Sequence, residues 1–252
     1  MSSWGGTKAG QVQFEQSNDD PLGTFGRFAD AFDVSTAMPL VIYLSITLPS
    51  SDLIDALDIL ESYILRRDVC GLTTKNYNKG FVGIIDRLRE SEDDILTALK
   101  IHLSSRQSDI DRWPNDDEFR HQWLERDQYK PARQPRLRHI FEAIERRNRS
   151  NLNEDIEIKS TLTIEHIMPQ KWQESWPVEA EQRQQDEGTH NGLSPNEILR
   201  SNSINKMGNL TLLTHELTAK VGDGVCQAAF LFWVSIISIP SLNMMPWMTF
   251  GN

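Results

Sequence analysis

The segment Ser50 to Gly71, SSDLIDALDILESYILRRDVCG, constrains the fold more than any other. Leu53, Ile54, Leu57, Ile59, Leu60, Tyr63 and Ile64 recur at helical spacing, Ser51 or Asp52 stands where an N-cap belongs, and Gly71 follows the last apolar position. A helix with such a stripe must bury it against other elements, and the neighbouring sequence supplies them. Leu22 to Leu48 fits two helices, one carrying Phe25, Phe28 and Phe32 and the other spanning MPLVIYLSITL. TTKNYNKGFVGIIDRLRES places Tyr77, Phe81, Ile84, Ile85 and Leu88 on one face. SEDDILTALKIHLSSR opens with acidic residues suited to a helix dipole. WPNDDEFRHQWLER starts a further helix after Pro114, and PRLRHIFEAIERRN sets Leu137, Ile140, Phe141 and Ile144 at core spacing. The chain up to about residue 150 therefore reads as an all-α module.

The pattern then changes. NRSNLNEDIEIKSTLTIEHIMPQ is polar and Asn-rich before Ile156, Ile158, Leu162 and Ile164 alternate, which is a strand signal. This predicts a domain boundary near Ser150, giving a flexible lead-in over 1–24, a helical domain over 25–150, a small α+β domain over 151–224 and an apolar tail over 225–252. The fold class expected is mainly α, an N-terminal helical bundle followed by a small α+β unit. With 252 residues the chain can bury a sizeable core. Its two cysteines, Cys70 and Cys226, form no CxxC pair, and no charged n-region precedes an apolar stretch at the N-terminus. The apolar run from Ala228 to Ile239 is short of the roughly 20 residues that span a bilayer. A cytoplasmic protein with no membrane partner is expected.

The net charge of −10 disfavours a broad basic surface for nucleic acid. Within it, Arg120 to Arg149 carries nine Lys/Arg against four Asp/Glu, a local basic segment in which Arg133, Arg136, Arg138, Arg146 and Arg147 are candidate phosphate contacts. The alternative is a solvated helix face.

TLTIEHIMPQKW sets Glu165 beside His166 at the end of a strand. About forty residues on, MGNLTLLT gives a turn at Gly208 and Asn209 and a second short strand. Histidine titrates near neutrality and can take a proton from water. Glutamate offers hard oxygen to Mg²⁺. Successive strand residues point to opposite faces, so both can serve one site only from a strand end or bulge. The Asn209 amide can tie the two arms together by bonding backbone across the loop. Trp172 and Trp176 fit packing better than base stacking.

This order of strand, Glu-His, proline, loop, Gly-Asn-Leu and second strand resembles the ββα-metal finger of HNH nucleases. TIEHIMPQKW and MGNLTLLT look like the C-terminal nuclease domain of GmrSD-type, modification-dependent (type IV) restriction proteins. ESYILRRDVCGLTTKNYNKGF and WPNDDEF resemble the helical region that precedes it. The resemblance implies a metal-dependent DNA endonuclease of an anti-phage restriction system acting on DNA, modified phage DNA included. His166 would be general base, Asn209 would order the finger, and Glu165 with a group on Thr214 to Lys220 would hold Mg²⁺ or Mn²⁺.

Family members place an asparagine where this chain has Thr218. Thr218, or His215 in its stead, would then be the second metal ligand. The tail VGDGVCQAAFLFWVSIISIPSLNMMPWMTFGN lacks the charged helix that would finish the finger, as a frameshifted C-terminus would. The family's N-terminal nucleotide-hydrolysing half has no counterpart motif here, which predicts a separate NTPase partner or a truncation. The competing reading is a degenerate, non-catalytic subunit that binds an NTPase partner or DNA.

Overall fold

The computed structural model describes residues 20–148, 162–178 and 193–214. The Asp20 carboxylate accepts the Leu22 and Gly23 amides at 3.2 and 3.0 Å, and Pro21, whose missing N–H costs nothing at a first helical position, starts α1 (Pro21–Phe32). Phe25, Phe28, Ala29 and Phe32 form its buried face. A 3-10 turn leads into α2 (Met38–Thr47), and α3 (Ser50–Val69) follows. α3 begins two or three residues earlier than the capping signal predicts. The Pro49 carbonyl already accepts the Leu53 amide at 2.9 Å, so neither Ser51 nor Asp52 caps, and Asp52 instead sits in the first turn, where the helix dipole favours it. Ile54 falls off the buried stripe and is exposed, whereas Leu53, Leu57, Ile59, Leu60, Tyr63 and Ile64 are buried.

The remaining helices are α4 (Tyr77–Glu90), α5 (Ile95–Ser104), α6 (Asp116–Glu125) and α7 (Gln134–Asn148). Asp94 and Asn115 cap α5 and α6 through the Thr97 and Glu118 amides. One hydrophobic core runs from Phe25 through α3, α4 and α7 and continues into Ile164, Met207 and Leu210.

The C-terminal end of α3 is where cations are buried. Arg67 is fully buried, and its guanidinium donates to the backbone carbonyls of Arg112 and Thr73 at 2.6 Å, Ile110 at 2.8 Å and Asp109 at 3.3 Å. The rings of Tyr63 and Tyr77 lie within cation–π distance of it, at 5.4 and 5.6 Å. Arg66 pairs with Asp116 at 2.5 Å and donates to the Pro114 carbonyl. Asp68 receives both Arg133 and Arg136, and Arg126 donates to the Val69 carbonyl at 3.0 Å. Gly71 takes the left-handed conformation at φ +71°, and a Cβ there would meet the Arg126 guanidinium at 2.5 Å, so both backbone and space require glycine.

Two antiparallel strands, β1 (Leu162–His166) and β2 (Leu210–Thr214), form the only sheet among the described residues. Their register pairs Ile164 with Leu212, Glu165 with Thr211 and His166 with Leu210. Between them lie the short α8 (Trp172–Ser175), α9 (Pro195–Ser203), which starts with a Ser194–Glu197 capping box, and a 3-10 turn over Met207–Asn209. The architecture is mainly helical with one small hairpin sheet. Strand positions expected at Ile156 and Ile158, the boundary near Ser150, residues 1–19 and everything beyond Thr214 lie outside the described residues.

A cleft of about 340 Å³ opens between α1, α3 and α7, lined by Asp58, Glu61, His139, Arg146 and Arg147 among others. Burial, with Asp58 adding repulsion and Arg146 opposing both, pushes the Glu61 carboxyl up to about 8. Burial against Phe28 and Phe32 pushes His139 down to about 4, with Arg146 and Arg27 adding to it. The two groups act oppositely on stability. Glu61 withdraws stability as pH rises from about 4.5 to 8, and His139 withdraws it as pH falls from about 6.5 to 4. They offset one another in the overlap, which leaves an alkaline limb belonging to Glu61. Glu61→Gln is expected to raise stability at pH 7.5–8 by about 2–3 kcal/mol, after allowance for partial solvent screening, and to flatten the fall in Tm between pH 6.5 and 8. An unchanged slope in thermal melts would assign that limb to other groups.

Candidate active site on the β-hairpin

His166 is the last residue of β1, and no bulge precedes it. Ile164 and His166 share one face of the strand; Ile164 is buried in the common core, and the His166 ring stands edge-on to Tyr129, with centroids 4.5 Å apart and planes at 69°. Glu165 lies on the other face, opposite Thr211, and its carboxylate makes no hydrogen bond or ion pair with the described residues. Because the strand stops at His166, the chain turns immediately beyond the pair. The pair thus stands at a strand end and not at a bulge.

Asn209 holds this turn. Its Oδ1 accepts the Met168 amide at 2.7 Å, its Nδ2 donates to the Met168 carbonyl at 3.1 Å and to the Ile204 carbonyl at 2.9 Å, and its own carbonyl accepts the Ile167 amide at 2.9 Å. One carboxamide thus satisfies backbone groups on both arms, which explains an asparagine where any apolar residue would leave three groups unpaired.

His166 Nε2 lies 3.4 Å from Asn205 Oδ1 and 3.4 Å from Gln170 Nε2. Burial pushes the imidazole below its ordinary pKa, while the Asn205 contact and the Glu165 charge oppose that shift. The neutral ring, which can accept a proton, is accordingly the resting form at pH 7. The residues that touch His166 were not singled out by sequence reasoning. Asn205 lies four residues before Asn209 in the same INKMGNL stretch, and Tyr129 lies inside the basic segment. Their only signal was proximity to motifs chosen for other reasons.

The five candidate arginines of the basic segment part ways. Arg133 is buried, paired with Asp68 and bonded to Gln128 Oε1 at 2.6 Å, and Arg136 also binds Asp68 at 2.6 Å. Both are turned toward the end of α3. Arg138 is half-buried, and Arg146 and Arg147 are exposed at the end of α7. Trp172 is fully buried, with the Arg200 guanidinium 5.6 Å over its ring, so it packs the inside of the loop region.

Among the described residues no three His, Cys, Asp or Glu side chains converge on a metal-sized site. Glu165 fits one hard-oxygen ligand, and the other expected ligands, His215 and Thr218, lie outside the described residues. No described helix is long and apolar enough to cross a membrane.

Residues 113–221, which include the hairpin and the helices leading into it, match the family model of GmrSD restriction endonucleases, C-terminal domain. Over that segment the chain is similar to this family. The match starts at Trp113, so it includes α6 and α7 as well as both strands. No curated protein and no solved structure matches the chain.

Proposed function

We propose that the chain is a metal-dependent DNA endonuclease subunit of an anti-phage restriction system, with the hairpin as two arms of an HNH-like ββα-metal finger. The observation that carries this is Glu165 and His166 at the end of a short two-stranded ladder locked by Asn209, within a segment that matches a restriction-endonuclease family. His166 takes the proton of the attacking water, and its neutral resting state suits that role. Glu165, with His215 or Thr218, is the expected ligand set for Mg²⁺ or Mn²⁺, which when bound offsets charge developing on the scissile phosphate. Arg146 and Arg147, exposed at the end of α7, are the groups expected to meet DNA phosphates. A cytoplasmic location and a separate NTPase partner for the helical body complete the reading.

The test is nicking or cleavage of modified phage DNA with Mg²⁺ or Mn²⁺. Wild type should cut, and His166→Ala should lose about 10²–10⁴-fold in rate. Unchanged cutting by His166→Ala removes the base assignment. A wild type that binds DNA or an NTPase partner but does not cut, and gains cleavage on Thr218→Asn, would make the chain the degenerate subunit instead.

A further inference from the structure

A histidine at the last position of a strand has two free side-chain torsions, and the hairpin itself supplies only Leu210 opposite it. What fixes the ring comes from elsewhere. The Asn205 carbonyl accepts two consecutive amides of the segment between α6 and α7, Gln128 at 2.8 Å and Tyr129 at 3.1 Å. Asp127 and Lys206 form a β-bridge beside them, and Lys206 Nζ donates to Glu125 at 2.6 Å. The segment is anchored in turn: Gln128 is fully buried, donates to the Val69 and Gln122 carbonyls at 3.2 and 3.0 Å, and accepts Arg133. From this backing the Asn205 amide and the Tyr129 ring bear on two sides of His166.

We infer that Asn205 and Tyr129 are positioning residues for His166, and that the Asp127 to Tyr129 segment makes the helical body part of the site rather than a separate module. Asn205 Oδ1 accepts from Nε2 and holds the proton there, leaving Nδ1 with its lone pair. Gln170, exposed, turns its amide to suit. The Tyr129 ring blocks rotation away from Asn205. This rests on the reading of His166 as the base, and the family match that runs across α6, α7 and the hairpin is independent support for one unit.

The full chain, labelled with ¹⁵N-histidine, tests it at pH 9, where every imidazole is neutral. Wild-type His166 should show one tautomer, protonated at Nε2. Asn205→Ala should give a mixture of tautomers, and Asn205→Asp, which keeps the acceptor oxygen, should restore the single form. Tyr129→Ala should broaden the His166 resonances, and Tyr129→Phe should leave them unchanged. Cleavage should fall about 10–100-fold in Asn205→Ala with KM little altered. If the tautomer responds this way but no form of the protein cuts DNA, positioning stands and the nuclease reading fails. If wild type cuts and both alanine variants keep its tautomer and rate, the positioning inference is overturned and the nuclease reading survives. Should Asn205→Ala unfold the chain, Asn205→Leu, similar in volume and without an acceptor, takes its place: a mixture of tautomers is expected, and a single form protonated at Nε2 overturns the inference.

Discussion

Arg67→Met is expected to destabilise the fold by about 3–5 kcal/mol, and chemical denaturation of the variant should show it as a large fall in midpoint. Methionine can fill much of the volume, so a cavity is not the main cost. The four backbone carbonyls of Thr73, Asp109, Ile110 and Arg112 are the cost, because they lose their common donor. Each buried acceptor left unpaired costs about 1–3 kcal/mol before local rearrangement admits water. The same substitution at Arg66 should cost less, since its carboxylate partner Asp116 is largely exposed and can return to solvent. A midpoint for Arg67→Met within experimental error of wild type would mean that the 109–112 loop reorganises freely, contrary to the packing of Tyr63 and Trp113 against it.

Asp68→Ala is the second large effect. Its side chain is about nine-tenths buried and holds Arg133 and Arg136 together, so its removal leaves a buried guanidinium without a counter-charge. A loss of about 3–5 kcal/mol follows from breaking such a pair on one side. Asp116→Ala removes a largely exposed carboxylate and leaves the buried Arg66 with the Pro114 carbonyl and the Phe119 ring, so it should cost less, about 1–2 kcal/mol. The contrast between the two variants in parallel urea melts is the measurement. Equal losses would show that burial does not set the scale here. Because Arg133 also bonds Gln128, the Asp68 variant should loosen the segment behind Asn205 as well. Its His166 resonances are therefore a useful companion readout.

Much of the helical body was legible in the sequence, for a clear physical reason. Phe25, Phe28 and Phe32, or Leu137, Ile140 and Phe141, announce a buried face through spacing alone, and all six are buried. Gly71 announced a helix end, and the left-handed backbone there is what only glycine adopts without strain. Charges were harder to read. Arg66 and Arg67 look like the ordinary basic last turn of a helix, and Arg133 and Arg136 like a phosphate-facing stripe. Most of their acceptors are carbonyls and carboxylates some 40 to 70 positions away, and no local pattern encodes a partner at that distance. At the site the hairpin strands and the bridging amide of Asn209 followed from residue type and turn chemistry. Tyr129 and Asn205 did not, because their relation to His166 exists only once two segments about 75 residues apart have docked.

The hairpin ladder is five residue pairs long and has no third strand among the described residues to hold it. In a ladder so short, a slip of one residue costs little in hydrogen bonds but sends every side chain to the opposite face. Glu165 would turn inward and His166 outward, with the fold otherwise intact. Asn209 grips Met168 by both its amide and its carbonyl, and a slip of one residue would put there either Pro169, which has no N–H, or Ile167, whose N–H already donates to the Asn209 carbonyl. The asparagine therefore acts as a counting device: it favours one alignment of the strands, and so decides which of two adjacent residues shares a face with Ile164.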